Sequence, residues 1–213
     1  MKKTRALKVS QPLTNFYVVV LKANELLKIA FSEPLTYISD TGELKGNQRI
    51  INHSRLKQIG KYIDTVEMTF PNSIILSVNY NEDGSLITNH EKRWKIIENQ
   101  DETFLEFNPN IKSASIIDGQ HRLNGFKYSE LEERRDTDLV CSIFFDLPNP
   151  YQAYLFATIN GNQKRVDKSL ALEQFGYFVA KEESSAWTPE KLAANITRKM
   201  NFNKGSPLCN KIN

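Results

Sequence analysis

Apolar residues recur along this chain with two different periods, and the change of period divides it. Phe16-Tyr17-Val18-Val19-Val20-Leu21 is a short, β-branched apolar run that predicts a buried strand. Asn24 then caps a predicted helix carrying Leu26, Leu27 and Ala30, which ends before Pro34. Residues 35–50 hold Gly42 and Gly46 and read as a hairpin or loop leading to Gln48-Arg49. Ser54 caps the next helix, from Arg55 to about Val66. One face of it carries Leu56, Ile59, Ile63 and Val66, the other Arg55, Lys57 and Lys61. Ser73 to Tyr80 alternates as a strand, Asn81-Glu82-Asp83-Gly84 turns it, and short strands follow through Trp94 and Phe104. A strand ending at Ile117, a helix and a strand over Val140–Phe145 complete this part. From Pro150 the pattern is helical, over Tyr151–Ile159, Lys168–Lys181 and Pro189–Met200, with Thr188 as cap and Pro189 at the first helical position. The expected fold is α+β: residues 1–15 as an N-terminal arm, a mixed sheet with flanking helices over 16–149, and a helical C-terminal part over 150–213.

The densest chemistry lies where the period changes most abruptly, in Ile116-Ile117-Asp118-Gly119-Gln120-His121-Arg122-Leu123-Asn124-Gly125-Phe126. Two β-branched residues run into an acid, a glycine and three polar side chains before a helical pattern resumes. A buried strand that turns sharply into a helix reads this way. Gly119 permits the tight backbone, and the first helical N–H groups have no intrahelical partner. Such a helix start beside Arg122 suits an anion, most often a phosphate. Asp118 then binds a metal ion, meets a ribose hydroxyl or simply caps the helix. Arg122 can grip two phosphate oxygens at once, or pair with an acid such as Glu130. Gln120 supplies an amide donor and an acceptor. His121 is a candidate acid, base or donor, or a satisfied histidine that orients the turn. Asp118 and His121 are the only catalytic candidates. Magnesium at Asp118 would need phosphate oxygens and water to complete its shell, so a nucleotide with Mg2+ is the one cofactor the motif suggests.

Composition narrows the setting. The 213 residues are 25% charged and 40% hydrophobic, ordinary for a folded domain, with a net charge of only +3. Charge alone is therefore a weak drive toward nucleic acid, and its distribution matters more. Lys2, Lys3 and Arg5 with Lys8 make an N-terminal basic group, and Lys164-Arg165 with Lys168 a later one; both are candidate DNA contacts. Cys141 lies in an apolar strand pattern far from Cys209, and no metal-binding cysteine or histidine spacing exists among them and His53, His90 and His121. The absence of a signal-type leader and of any membrane-length apolar stretch predicts a cytoplasmic protein that does not enter the membrane.

The motif resembles the name-giving signature of the DGQHR-domain family of DndB-like, DNA-sulfur-modification-associated proteins. Upstream, Asn47-Gln48-Arg49, Ser54-Arg55-Leu56 through Tyr62, and Phe70-Pro71-Asn72-Ser73-Ile74-Ile75-Leu76 resemble a second family segment. Downstream, Leu155-Phe156-Ala157-Thr158-Ile159-Asn160-Gly161-Asn162-Gln163-Lys164-Arg165-Val166 resembles a third. Together they span about residues 16–180. The family in turn resembles the ParB/sulfiredoxin superfamily, which implies a ParB-like mixed sheet with the strand–turn–helix motif set against nucleotide phosphates. Gln120 stands where sulfiredoxins carry a cysteine, so thiol-based sulfinate repair is not available. The resemblance implies that Gln48, Arg49 and Arg55 approach the motif and complete an anion pocket; the alternative, a solvated helix start, is the lesser reading. Asn160, Asn162 and Gln163, at a glycine-stopped helix end, read either as base or sugar contacts or as turn chemistry. Ser206-Pro207-Leu208 resembles a segment from the middle of longer family members, so the chain is expected to be a short member or a piece of a longer one.

Three functions follow as expectations. The resemblance implies a nucleotide- or DNA-phosphate-binding regulatory protein of a DNA-modification, phosphorothioation-type or phage-defence system, with DNA as partner and oligomerisation open. The alternatives are an NTPase or nuclease akin to restriction proteins with a DGQQR motif, and a non-catalytic interaction module. Two-metal nuclease chemistry would want several clustered acids, and near the motif only Asp118 qualifies. No GxxxxGK[ST] loop is present, which excludes a P-loop ATPase.

Overall fold

A computed structural model of the chain describes residues 1–32, 36–37, 44–45, 52–100, 102–161, 189–209 and 211. In chain order the strands and helices are β1 (Lys2–Arg5), β2 (Leu7–Val9), β3 (Phe16–Lys22), α1 (Ala23–Ile29), β4 (Ala30–Phe31), β5 (Thr36–Tyr37), β6 (Leu44–Lys45) and α2 (His53–Ile63). They continue with β7 (Ile74–Val78), β8 (Lys95–Glu98), β9 (Thr103–Phe107), β10 (Ala114–Asp118), α3 (Gln120–Gly125), β11 (Asp138–Phe145), α4 (Asn149–Gly161) and α5 (Pro189–Phe202). Two short 3₁₀ turns, Phe126–Tyr128 and Glu132–Asp136, separate α3 from β11. Met1–Gly161 forms one compact unit and Asn162–Asn213 a second. The fold is mixed α+β, as the periodicity predicts.

The main sheet has six strands in the order β2-β3-β11-β7-β10-β4. β11 is antiparallel to β3 and parallel to β7, and β7 is antiparallel to β10, so the sheet is mixed. Its centre is apolar on one face through Val19, Leu21, Ile74, Leu76, Val78, Leu139, Cys141 and Ile143, all buried. Leu26 and Ile29 of α1, Ile63 of α2 and Leu123 of α3 belong to that core, and so do Leu105 and Phe107 of a smaller sheet, β1-β9-β8. On the other face a second cluster joins Ile117, Phe144 and Leu147 to Phe16, Ile75 and the α4 residues Leu155 and Phe156. Helix α4 therefore packs with the first unit, which runs past the division expected near residue 150 to Gly161. Burial pushes the Cys141 thiol up to about 12, the mark of an inert core cysteine.

Several boundaries differ from the expectation, each for a local reason. Asn24 is the second residue of α1 and not its cap; Glu25 reaches back to the Lys22 amide at 3.4 Å, and the Asn24 amide donates to Asp136 instead, at 2.6 Å. Asn52, not Ser54, caps α2, its Oδ1 accepting the Arg55 N–H at 3.1 Å. That helix stops at Ile63 because Asp64 ends it, leaving Val66 exposed. The N-terminal residues are not an arm: Lys2–Arg5 pairs with β9 as an edge strand. The predicted helix over Lys168–Lys181 and the Thr188 cap lie outside the described residues.

The parallel strands β7 and β11 leave the sheet through two left-handed residues, Asn79 (φ 74) and Asp146 (φ 52), and these touch each other. The Asn79 amide donates to Asp146 Oδ1 at 3.0 Å, and Asn79 Oδ1 accepts the Trp94 N–H at 2.7 Å. Arg93 donates to Asp146 and, at 2.7 Å, to the Ile87 carbonyl. The Leu147 carbonyl accepts from Tyr80 Oη and Gln152 Nε2, each at 2.7 Å. Asparagine and aspartate tolerate this backbone region better than other side chains do. The clasp anchors both the segment between β7 and β8 and the start of α4.

Helix α2 approaches the backbone after α3 so closely that only glycine fits. A Cβ on Gly60 would lie 2.6 Å from the Tyr128 carbonyl oxygen. Gly60→Ala should therefore destabilise the protein by about 1–3 kcal/mol. Urea unfolding should show a lower midpoint at unchanged slope.

Candidate functional site

The DGQHR turn is built by a bulge, a glycine and a guanidinium. Along β10, Ile116 faces Leu76 while Asp118 faces Ile75, so Ile117 is an extra residue that joins the second apolar cluster. The strand runs one residue further than expected, through Asp118, and Gly119 alone makes the turn at φ +98. A Cβ there would meet Ile74 Cδ1 at 2.6 Å and Arg122 Nη2 at 3.2 Å, so both backbone angle and space require glycine. The expected strand–turn–helix arrangement, with Arg122 and Gly125 in the helix, is present.

Arg122 turns back beneath this corner. Its Nη2 donates to Asp118 Oδ2 at 2.7 Å and to the Ser73 carbonyl at 3.1 Å, and its Nη1 donates to the Asn72 carbonyl. Both members of the ion pair are about four-fifths covered. The partner acid is Asp118, not Glu130. The guanidinium fork is thus occupied by the protein's own acceptors, and it ties the motif to the lead-in of β7. Gln120 is buried at the first position of α3, and its carbonyl accepts the Asn124 amide at 2.9 Å.

His121 points the motif toward α2. The Asn52 N–H donates to His121 Nε2 at 3.4 Å, and neighbouring His53 Nδ1 lies 2.9 Å from Tyr128 Oη. Asn52, His53, Ser54, Arg55 and Lys57 are all exposed, and the first turn of α2 holds no acid. At the other end of α2, Asp64 accepts from Ser129 Oγ and from the amides of Glu130 and Leu131 at 3.0 and 3.4 Å. Both ends of α2 are therefore fixed by residues of the motif or of the segment that follows it. Asn52 and Tyr128 were not singled out from the sequence, and His53, Asn72 and Ser73 were given no role in the site. Asn52 had a readable signal, an asparagine immediately before a helical pattern.

The other candidates are dispersed or paired. Asn160 donates its amide to the Phe156 carbonyl at 2.8 Å, one turn back in α4. Gln48, Arg49, Asn162, Gln163, Lys164 and Arg165 lie outside the described residues. The N-terminal cations face carboxylates: Lys2 with Glu25, Lys3 with Glu106 at 3.5 Å, Arg5 with Glu102, and Lys8 with Glu98 at 3.7 Å. Among the described residues no helix is long and apolar enough to cross a membrane.

Two outcomes test this geometry. Arg122→Ala should cost about 1–3 kcal/mol of stability, because it strips half-buried acceptors of their donor. Arg122→Lys should recover only part of that, since an ammonium cannot reproduce the fork. Both are read by chemical denaturation.

The Asp64 carboxyl is pushed up by burial. The Ser129 hydroxyl, the two amides and the Arg134 charge together outweigh this and hold it below the ordinary aspartate value. Its stabilising contribution is present above the unfolded-chain value of about 3.9 and is lost as pH falls through the lower folded value. Asp64→Asn should therefore flatten the fall of stability in that acidic window, as measured by urea midpoints across pH.

No curated protein matches the chain. The profile of the DndB family, described as DNA-sulfur modification-associated, matches residues 4–204. That span takes in the bulged strand, the Gly119 turn, α2 and the whole six-stranded sheet, and the chain belongs to the DndB family of DNA-sulfur modification-associated proteins.

Proposed function

We propose that this chain is a phosphate-binding regulatory protein of a DNA-sulfur-modification system, with its ligand site where α2 begins beside the DGQHR turn. The supporting observation is the residue choice at the positive end of α2. Helix starts favour acids, yet this one exposes His53, Arg55 and Lys57 and has none in its first turn. Cations there repel the helix dipole unless an anion binds among them. His121 borders the same spot through its contact with the Asn52 amide.

In this reading the motif residues divide their work. Asp118, Gly119, Gln120 and Arg122 hold the turn, and His121 with Arg55 meets the phosphate. Gln48 and Arg49, a few residues upstream, are near enough in sequence to join them. The ligand is a DNA phosphate or a nucleotide that reports on the state of the system. The resident carboxylate, Asp118, is engaged with Arg122, so a positioning role suits it better than hydrolysis.

Arg55→Glu and His121→Ala should each weaken phosphate-ligand binding about tenfold or more, the scale of one charge-assisted hydrogen bond. A panel of nucleotides and duplex DNA, read by thermal shift and by titration, identifies the ligand. If DNA is bound, Arg55→Glu should also reduce the salt dependence by about one unit of slope. Unchanged binding of every ligand in both variants would remove the proposal.

A further inference from the structure

The outer face of the small sheet has a composition that the fold does not require. β1, β9 and β8 pair so that Leu105, Phe107 and Ile96 turn toward the core. Two rows then cross the solvent side, Lys3–Glu106–Lys95 and Arg5–Phe104–Ile97. The solvent face of an antiparallel sheet is ordinarily polar. Here the second row sets a half-buried phenyl ring in the middle strand, between a guanidinium and an aliphatic side chain. The surface dips into a shallow, largely open depression of about 530 Å³ lined by Lys3, Thr4, Arg5, Ile97, Asn99 and Phe104. That volume lies in the range of small-ligand sites, ~300–1,000 Å³.

The chemistry of the lining selects one ligand class. Phe104 and Ile97 give an apolar floor broad enough for a planar ring. Asn99 offers an amide donor and acceptor at its edge. Lys3 and Arg5 are cations at the rim, and their side chains remain 58% and 80% exposed despite their carboxylate partners. Exposed ion pairs of this kind are worth little, so either cation can turn to a phosphate at small cost. Glu102 and Glu106 meanwhile keep the face close to neutral. Charge alone therefore does not hold a duplex here, and stacking must supply much of the binding.

We infer that this face is a binding site for an unpaired nucleotide of a DNA strand. The base stacks on Phe104, its phosphate meets Arg5 and Lys3, and Asn99 meets the base edge. A base inside a duplex has both faces covered by its neighbours, so the nucleotide must come from a single strand or be turned out of the helix. The site shares no residue with the phosphate site at α2, and an Arg55→Glu background separates the two readings.

The experiment uses the full chain and three probes: a short labelled oligothymidylate, a duplex of the same length and free dTMP. The oligomer should bind more tightly than either of the others. Phe104→Leu, which keeps apolar volume, should weaken it about tenfold or more while leaving the urea midpoint close to the wild-type value. Phe104→Trp should restore binding, and Arg5→Ala should weaken it and lower its salt dependence. Oligomer affinity unchanged in a folded Phe104→Leu variant overturns the inference, as does a duplex bound as tightly as the single strand. If dTMP binds as tightly as the oligomer and is equally sensitive to Phe104→Leu, the strand is overturned as the source of the nucleotide. Every comparison is repeated in an Arg55→Glu background, which disables the α2 phosphate site: oligomer binding that persists there and still falls with Phe104→Leu supports the inference, and oligomer binding that disappears there altogether places the nucleotide at α2 and overturns it.

Discussion

The grip of Arg122 on Asp118 and on the Asn72 and Ser73 carbonyls is the constraint on which the corner of the molecule depends. Three pieces of chain meet there: the end of β10, the start of β7 and the first turn of α3. Each buries apolar residues close by, Ile74, Ile117 and Leu123, but burial has no direction of its own. A planar fork with fixed donor directions does what packing cannot, setting the angle at which the helix leaves the sheet. Gly119 and the Ile117 bulge follow from that demand. The bulge delivers Asp118 to the guanidinium, and the missing Cβ lets the turn lie against Ile74. The motif is thus an architectural device, and through His121 it also meets the start of α2.

The sequence was most legible where periodicity and side-chain chemistry agreed. The strand over Phe16–Leu21, the strand after Ser73, Cys141 as a core residue and the strand–glycine–helix corner all stand as read, because a buried face leaves little choice of residue. It was less legible where a side chain had competing uses. Asn24 resembles a cap but bonds to Asp136, a partner more than a hundred residues away that no local pattern reveals. Arg122 resembles a phosphate ligand, and beside Asp118 its acceptors are two backbone carbonyls that carry no residue signature. Lys2, Lys3 and Arg5 read as a basic arm because their alternation is too short to announce a strand. Only the pairing with β9 brings Glu102 and Glu106 beside them.

Charge on this protein is consequently local in its effects. The net value is small, and the N-terminal cluster is answered by acids from distant elements. What distinguishes the start of α2 is that its own first turn carries no such answer. What distinguishes the small sheet is an aromatic ring among paired charges. Two surfaces of different character, a cationic helix start and an aromatic ring among paired charges, thus belong to a single compact unit. Each is supported by rigid elements, since α2 is fixed at both ends and β9 is the middle strand of its sheet.

The position of β11 has a consequence for how the chain reaches this state. It lies between β3 and β7 in the sheet, yet it is the last of the six strands to be synthesised. Its pairing with β3 spans more than half of the chain. Until it emerges, β2-β3 and β7-β10-β4 can exist only as two half-sheets, each with an open and strongly apolar edge. Closing such distant contacts is slow, and unpaired edges invite association with other chains. The nascent protein is therefore most vulnerable to misassembly just before residue 145 is available, and a single late strand converts two sticky fragments into one closed core.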